Sequence, residues 1–191
     1  MFVPWPQNRY VRHLEGRGHG LRTRLSLGAF DPLDPRKLIG TYDGMFLLDL
    51  LSLGATYESQ LTVLRKFSNA WSAIAFREGG GPWLISWNPW HAETRVRASL
   101  MEEVSHIVLG HRPTALRRDP LTGLPKRVYT PSKEKEAYGV AGAALVPYNG
   151  LRTMVATGKT VPAIAEQYQV SEQLVQMRLN VTRAGEATEA P

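Results

Sequence analysis

Apolar residues recur at helical spacing through most of this chain and at strand spacing in one short window. Between Glu93 and Leu109, the residues Val96, Leu100, Val104, Ile107 and Val108 share one stripe. A helix with a single buried face is therefore expected there, stopped by Gly110. Just upstream, the aromatic-rich stretches Trp71–Phe76 and Trp83–Trp87 flank Glu78-Gly79-Gly80-Gly81-Pro82, the pattern of a β-hairpin with a glycine-rich connection. The run Gly44–Leu51 fits strand or helix by periodicity, and its shortness and leading glycine favour a strand. Helices are expected over about 9–25, 36–42 and 57–67. Thr130-Pro131 opens another, with proline set for the first turn, which runs through Ala137, Ala141 and Leu145 to a stop near Pro147. Three short helices follow, over 150–156, 161–168 and 171–179, the last two capped by Thr160 and Ser171. Residues 112–131 hold four prolines and many basic residues, so they read as a long exposed loop, either functional or mobile.

These elements predict an α+β, mainly helical protein with a small antiparallel sheet. The expected divisions are a basic N-terminal segment (1–24), a core (25–149), a C-terminal helical subdomain (150–182) and a small, polar, disordered tail (183–191). At 191 residues the chain suffices for one domain with a substantial core, or one domain with an appendage. It has no cysteine, which excludes disulfide frameworks, thiolate metal sites and cysteine nucleophiles. No signal-peptide core and no apolar run near the roughly 20 residues of a membrane span is seen, so a cytoplasmic protein without a membrane partner is expected. The formal charge is +6, much of it local: Arg9, Arg12, Arg17, Arg22 and Arg24 stand against Glu15 alone. Such a segment reads either as a solvated helix or as a surface for nucleic acid or an acidic partner.

The chemistry concentrates in Glu102-Glu103-Val104-Ser105-His106-Ile107-Val108-Leu109-Gly110-His111. In an H-E-x-x-H helix, two histidines four residues apart grip a metal and the glutamate between them holds the attacking water. Here Glu102 stands where the first histidine would be, His106 is the second ligand, and Glu103 takes the place of the water-activating base. A third ligand must come from another helix, and Glu136 is the candidate, followed by small residues that allow close helix packing. Two carboxylates and one imidazole still suit a divalent ion, zinc first, with a shift in preference toward manganese or iron. The plainer alternative makes Glu102 and Glu103 solvent-facing and His106 a hydrogen-bonded core histidine. His111, five positions past His106, is expected to point away from that face and to meet terminal carbonyls at the helix end.

A series of words in the same order resembles the ImmA/IrrE-type metallopeptidases. They are Trp71-Ser72-Ala73, Ile85-Ser86-Trp87-Asn88-Pro89, Arg95-Val96-Arg97-Ala98-Ser99 and His106-Ile107-Val108-Leu109-Gly110-His111. Glu134-Lys135-Glu136-Ala137 ending at Leu145-Val146-Pro147 follows, then Ile164-Ala165-Glu166-Gln167-Tyr168, Val170-Ser171 and Arg178-Leu179. The resemblance spans about residues 20–182. It implies a gluzincin-like, bacterial or phage protease with a zincin-like helical core and a C-terminal helix-turn-helix-like bundle. Many such proteins cleave or inactivate a transcriptional repressor, often of the helix-turn-helix class, and so switch on mobile-element transfer or a stress response. Carried over, Glu103 is the base, His106 a ligand and Glu136 the glutamate ligand, with Glu134 as the alternative. Glu102 departs from the family at the first ligand, where a carboxylate replaces an imidazole.

Two other function classes remain open on sequence. Ile164-Ala165, Val170-Ser171, Val175 and Leu179 have helix-turn-helix spacing, though Gln169 replaces the usual turn glycine and the second helix is only weakly basic. A non-catalytic binding module that keeps the zincin shape and grips a regulator is the other.

Overall fold

The computed structural model describes residues 6, 8–123 and 125–184, so the expected disorder of the tail falls largely outside the described residues. In chain order the elements are α1 (Arg9–Thr23), α2 (Pro35–Ile39), β1 (Met45–Leu48), α3 (Glu58–Lys66), β2 (Ala73–Phe76), β3 (Trp83–Trp87) and α4 (Glu93–Val108). They continue with β4 (Ala115–Arg118), β5 (Pro125–Val128), α5 (Pro131–Leu145), α6 (Tyr148–Ala156), α7 (Val161–Tyr168) and α8 (Glu172–Thr182). The protein is thus mainly helical with a small sheet, as the patterning predicts. Packing separates two compact units: residues 35–138, and the residues up to 34 together with those from 139 onward.

In the unit of residues 35–138, the expected hairpin is present. Strand β2 pairs antiparallel with β3, Ala75 opposite Ile85. Strand β1 adds to the other side of β3 in parallel, Leu47 opposite Ile85, which makes the sheet mixed rather than purely antiparallel. A parallel neighbour needs a crossover, and the 3-10 segment Leu50–Tyr57 and α3 supply it. Ile85, at the centre of the middle strand, is fully buried, and α4 packs on β2 and β3, with its Val96, Leu100, Met101 and Val104 buried. The start of α4 has no side-chain cap. Its Glu93 is clasped by the two terminal guanidinium nitrogens of Arg36, at 2.5 and 3.1 Å.

The stretch expected to be an irregular loop folds differently. Strands β4 and β5 form a second antiparallel ladder, Ala115 opposite Val128 and Arg118 opposite Pro125. Its tight end is built by Asp119, whose carboxylate accepts from the Leu121 and Thr122 amides at 3.0 and 2.9 Å and from the Thr122 hydroxyl at 2.9 Å. Gly123 closes the turn at φ 69°. Turn chemistry therefore overrides the prolines, which sit outside the ladder interior.

In the other unit, α7 and α8 meet at a helix-turn-helix corner. Thr160 and Ser171 cap them as expected, accepting from the amides of Ala163 and Leu174. Gln169 takes the left-handed conformation (φ 55°) that glycine usually fills. Gly150 of α6 is buried, and a Cβ there would collide with the Tyr168 hydroxyl and the Ala29 carbonyl oxygen. That pair is itself hydrogen-bonded at 2.9 Å. Gly150→Ala is expected to destabilise the protein by about 1–3 kcal/mol through overpacking, seen as a lower urea midpoint with the slope unchanged. An unchanged midpoint would contradict this packing.

Candidate metal centre

Helix α4 supplies two donors from one face. Glu102 and His106 lie one turn apart, the spacing at which side chains stack along a helix. The third comes from the first turn of α5. One ligand atom each from Glu102, His106 and Glu134 lie within 4.8 Å of one another, and His106 Nε2 is 3.2 Å from Glu134 Oε2.

Glu136 is placed elsewhere. It follows Glu134 by two residues, about 200° around the helix, and its Oε2 lies 3.2 Å from Nε2 of His111. The structure therefore gathers Glu134, the alternative, with Glu102 and His106, and directs Glu136 to a neighbouring histidine. His111 also departs from expectation. The helix ends at Val108, and Gly110 turns the chain back with φ 66°. The His111 amide then donates to the His106 carbonyl at 3.0 Å, and its ring Nδ1 comes 3.0 Å from Nδ1 of His106. Helical projection past residue 108 does not apply, so His111 faces His106 rather than pointing away.

The second hairpin covers this constellation. His106 is only 3% exposed and stacks on Tyr129, just beyond β5, with ring centroids 3.9 Å apart and planes 19° from parallel. Arg127 of β5 forms an ion pair with Glu103. Its guanidinium also lies 5.1 Å from the Trp83 ring centre and 5.4 Å from that of Tyr129. Glu102, Glu103, His106, Arg127, Tyr129 and Glu134 all line one cleft of about 330 Å³. Arg127, Tyr129 and His111 were not singled out by sequence reasoning as parts of the site. The β-forming pair Val128-Tyr129 after Arg127 was the available signal for a strand there.

The electrostatics follow from crowding acids into a partly dry cleft. Burial, then the charges of Glu134 and Glu103, raise the Glu102 carboxyl to about 7. Burial also raises Glu103, but the Arg127 charge, its hydrogen bond and a hydrogen bond from the Ala75 backbone pull it back toward the carboxylate. His106 is lowered to about 3, chiefly by burial and then by the nearby His111, Arg127 and Lys133. It is a neutral imidazole at physiological pH, the form that binds metals. Burial lifts the Tyr129 phenol to about 12, and its buried hydroxyl has no hydrogen-bond partner among the described residues.

An imidazole and two carboxylates converging within reach of one ion form a donor set suited to a hard or borderline divalent cation. A cation also relieves the Glu134 and Glu103 repulsion that adds to burial in raising Glu102, so residues and ion fit. In metal-free protein, the raised Glu102 contributes stability that is complete below its ordinary pKa of 4.5 and is lost as pH rises through about 7. Glu102→Gln cannot ionise, so in chelator its melting temperature should exceed that of wild type above pH 7, the gap closing toward pH 4.5. Identical melting curves at every pH would contradict that.

A family model described as Peptidase_M78, the IrrE N-terminal-like domain, matches residues 59–180. No curated protein and no solved structure matches the chain. Among the described residues, no helix is long and apolar enough to cross a membrane.

Proposed function

The chain belongs to the IrrE N-terminal-like peptidase family, and from that membership we propose a metal-dependent endopeptidase whose divalent ion is held by Glu102, His106 and Glu134. The convergence of those three donors beside Glu103 in one cleft carries the proposal. An ion bound there supplies Lewis acidity toward water and a peptide carbonyl. Zinc is the first candidate, and the oxygen-rich set keeps manganese and iron as alternatives.

The chain's own residues then have separable tasks. Glu103 receives a proton from water; burial raises its carboxyl above the ordinary range, and the Arg127 charge beside it partly opposes that rise and favours the carboxylate. Tyr129, with its unpartnered hydroxyl, offers a donor to negative charge growing on a carbonyl oxygen. To bind a cation, His106 Nε2 must carry no proton, so the proton sits on Nδ1 and is donated to His111 Nδ1. His111 then carries its own proton on Nε2 and donates to Glu136. In this arrangement Glu136 is a positioning residue that fixes the tautomer of His106 through His111, as outer partners of metal-bound histidines commonly do. The substrate proposed is a protein regulator, a helix-turn-helix repressor being the kind the family resemblance implies, met in the cytoplasm.

A second reading has a specific support. Arg127 occupies Glu103, and Glu102 stands at the first-histidine position. Both favour a zincin-shaped protein that binds its regulator without cutting it. A helix-turn-helix mode of DNA binding has less support, because α8 exposes Glu172, Gln173 and Gln176 and buries Arg178.

Elemental mass spectrometry of purified protein should find near one equivalent of transition metal, lost in Glu102→Ala, His106→Ala and Glu134→Ala. Glu136→Ala should keep the stoichiometry with affinity weakened about 10–100-fold. Loss on Glu136→Ala with retention on Glu134→Ala would overturn the ligand set. With a candidate repressor as substrate, Glu103→Gln should lower cleavage about 10²–10⁴-fold while metal is retained. Arg127→Gln removes a cation that favours the carboxylate, so the acid limb of the rate profile should move up by about 1 pH unit or more. Metal binding without cleavage of any regulator that the protein binds would favour the non-catalytic reading.

A further inference from the structure

Helix α1 carries a surface that the metal centre does not use. Its packed side is formed by Val11, Leu14, Glu15, Gly18, Leu21 and Arg22. Gly18 lies where a Cβ would come within 2.7 Å of Ala143, so glycine is required by close helix packing. Glu15, the helix's one acid, is buried there. It pairs with Arg178 and accepts the Tyr148 amide at 3.1 Å. The opposite side has no acid at all. Arg9, Arg12 and Arg17 are exposed on it with His13 and His19, and Arg24 continues it past the last turn.

The centre of that side is bare. At about 100° per residue, Gly16 and Gly20 fall within about 20° of Arg9, with Arg12 on one flank and Arg17 and Arg24 on the other. A Cβ at Gly16 or Gly20 would meet nothing within 4 Å, and neither glycine has positive φ. Neither packing nor backbone geometry requires them, and each weakens a helix relative to alanine. Glycine at these two positions leaves the backbone open to close approach by another molecule.

We propose that this glycine-floored, arginine-flanked face of α1 binds the sugar-phosphate backbone of a nucleic-acid duplex. The cations of the face are arginines without a lysine, and arginine's planar fork matches phosphate oxygens in a way a lysine ammonium does not. The helix is about 22 Å long, enough to follow several phosphates spaced about 3.4 Å apart along the axis of one strand. The flanking arginines hold a phosphate ridge from both sides while the glycines admit it. Such contacts carry no base specificity, so binding is sequence-independent and steeply salt-dependent.

The test uses the full chain and a fluorescein-labelled 24-base-pair DNA duplex, followed by anisotropy from 25 to 200 mM salt, with duplex RNA and poly-glutamate in parallel. Expected is binding whose log affinity falls against log salt with a slope of about −3.6, one contact for each of the four arginines. Arg9→Gln/Arg12→Gln/Arg17→Gln should weaken binding at least about 10-fold and flatten the slope by about 2.7. The charge-neutral pair Gly16→Gln/Gly20→Gln should raise the melting temperature yet weaken binding about 5-fold or more, opposite signs that a purely structural role does not produce. No salt-dependent binding to either duplex, unchanged binding in either variant, or equal capture of poly-glutamate would overturn the proposal, the last in favour of an acidic protein partner.

Discussion

Two carboxylates brought with a neutral imidazole within 4.8 Å of one another, beside a third carboxylate, repel each other unless something positive joins them. That constraint organises the unit of residues 35–138. Burial first, and then the charges of Glu134 and Glu103, lift Glu102 to about 7, so without a cation the cleft favours a protonated acid over a further negative charge. A proton relieves the repulsion in metal-free protein and a divalent ion does so more completely, with the neutral His106 as a ready donor. Arg127 answers the same problem at Glu103, where the compensating charge comes from the chain itself.

The surrounding architecture makes the crowding tolerable. Helix α4 packs on the sheet and buries Val96, Leu100, Met101 and Val104, and Arg36 holds its first turn through Glu93. Glu134 enters from the first turn of α5, and the β4–β5 hairpin lays Arg127 and Tyr129 against the α4 side chains. His106 is thereby held on three sides: the ring of Tyr129, Nδ1 of His111 and the Glu134 carboxylate. An imidazole so confined has little rotamer freedom to lose on binding an ion. The separate cationic face of α1 belongs to a different surface problem, answered by glycines rather than by charge pairing.

Local periodicity made part of this legible. The four-residue spacing of Glu102 and His106 and the stripe beneath them define α4 within a residue, and the Gly-rich connection marks the β2–β3 hairpin. What escaped depends on contacts distant in sequence. Glu134 and Glu136 are equivalent by composition and differ only in which side of α5 they occupy, which nothing local determines. The five-residue offset from His106 places His111 on another face only if the helical angle continues, and at Gly110 the chain reverses. The β4–β5 hairpin was hidden by its prolines and arginines, since its folding signal is the Asp119 turn rather than hydrophobic alternation. The parallel docking of β1 on β3 likewise rests on a crossover that periodicity does not encode.

The most direct measurement of the central claim is X-ray absorption spectroscopy at the metal edge of zinc- or cobalt-loaded protein, which counts imidazoles among the nearest donors. Glu102, His106 and Glu134 as ligands predict a shell of oxygen and nitrogen at about 2.0–2.2 Å containing a single imidazole. Two imidazoles would show His111 coordinating instead of positioning His106, and would contradict the account.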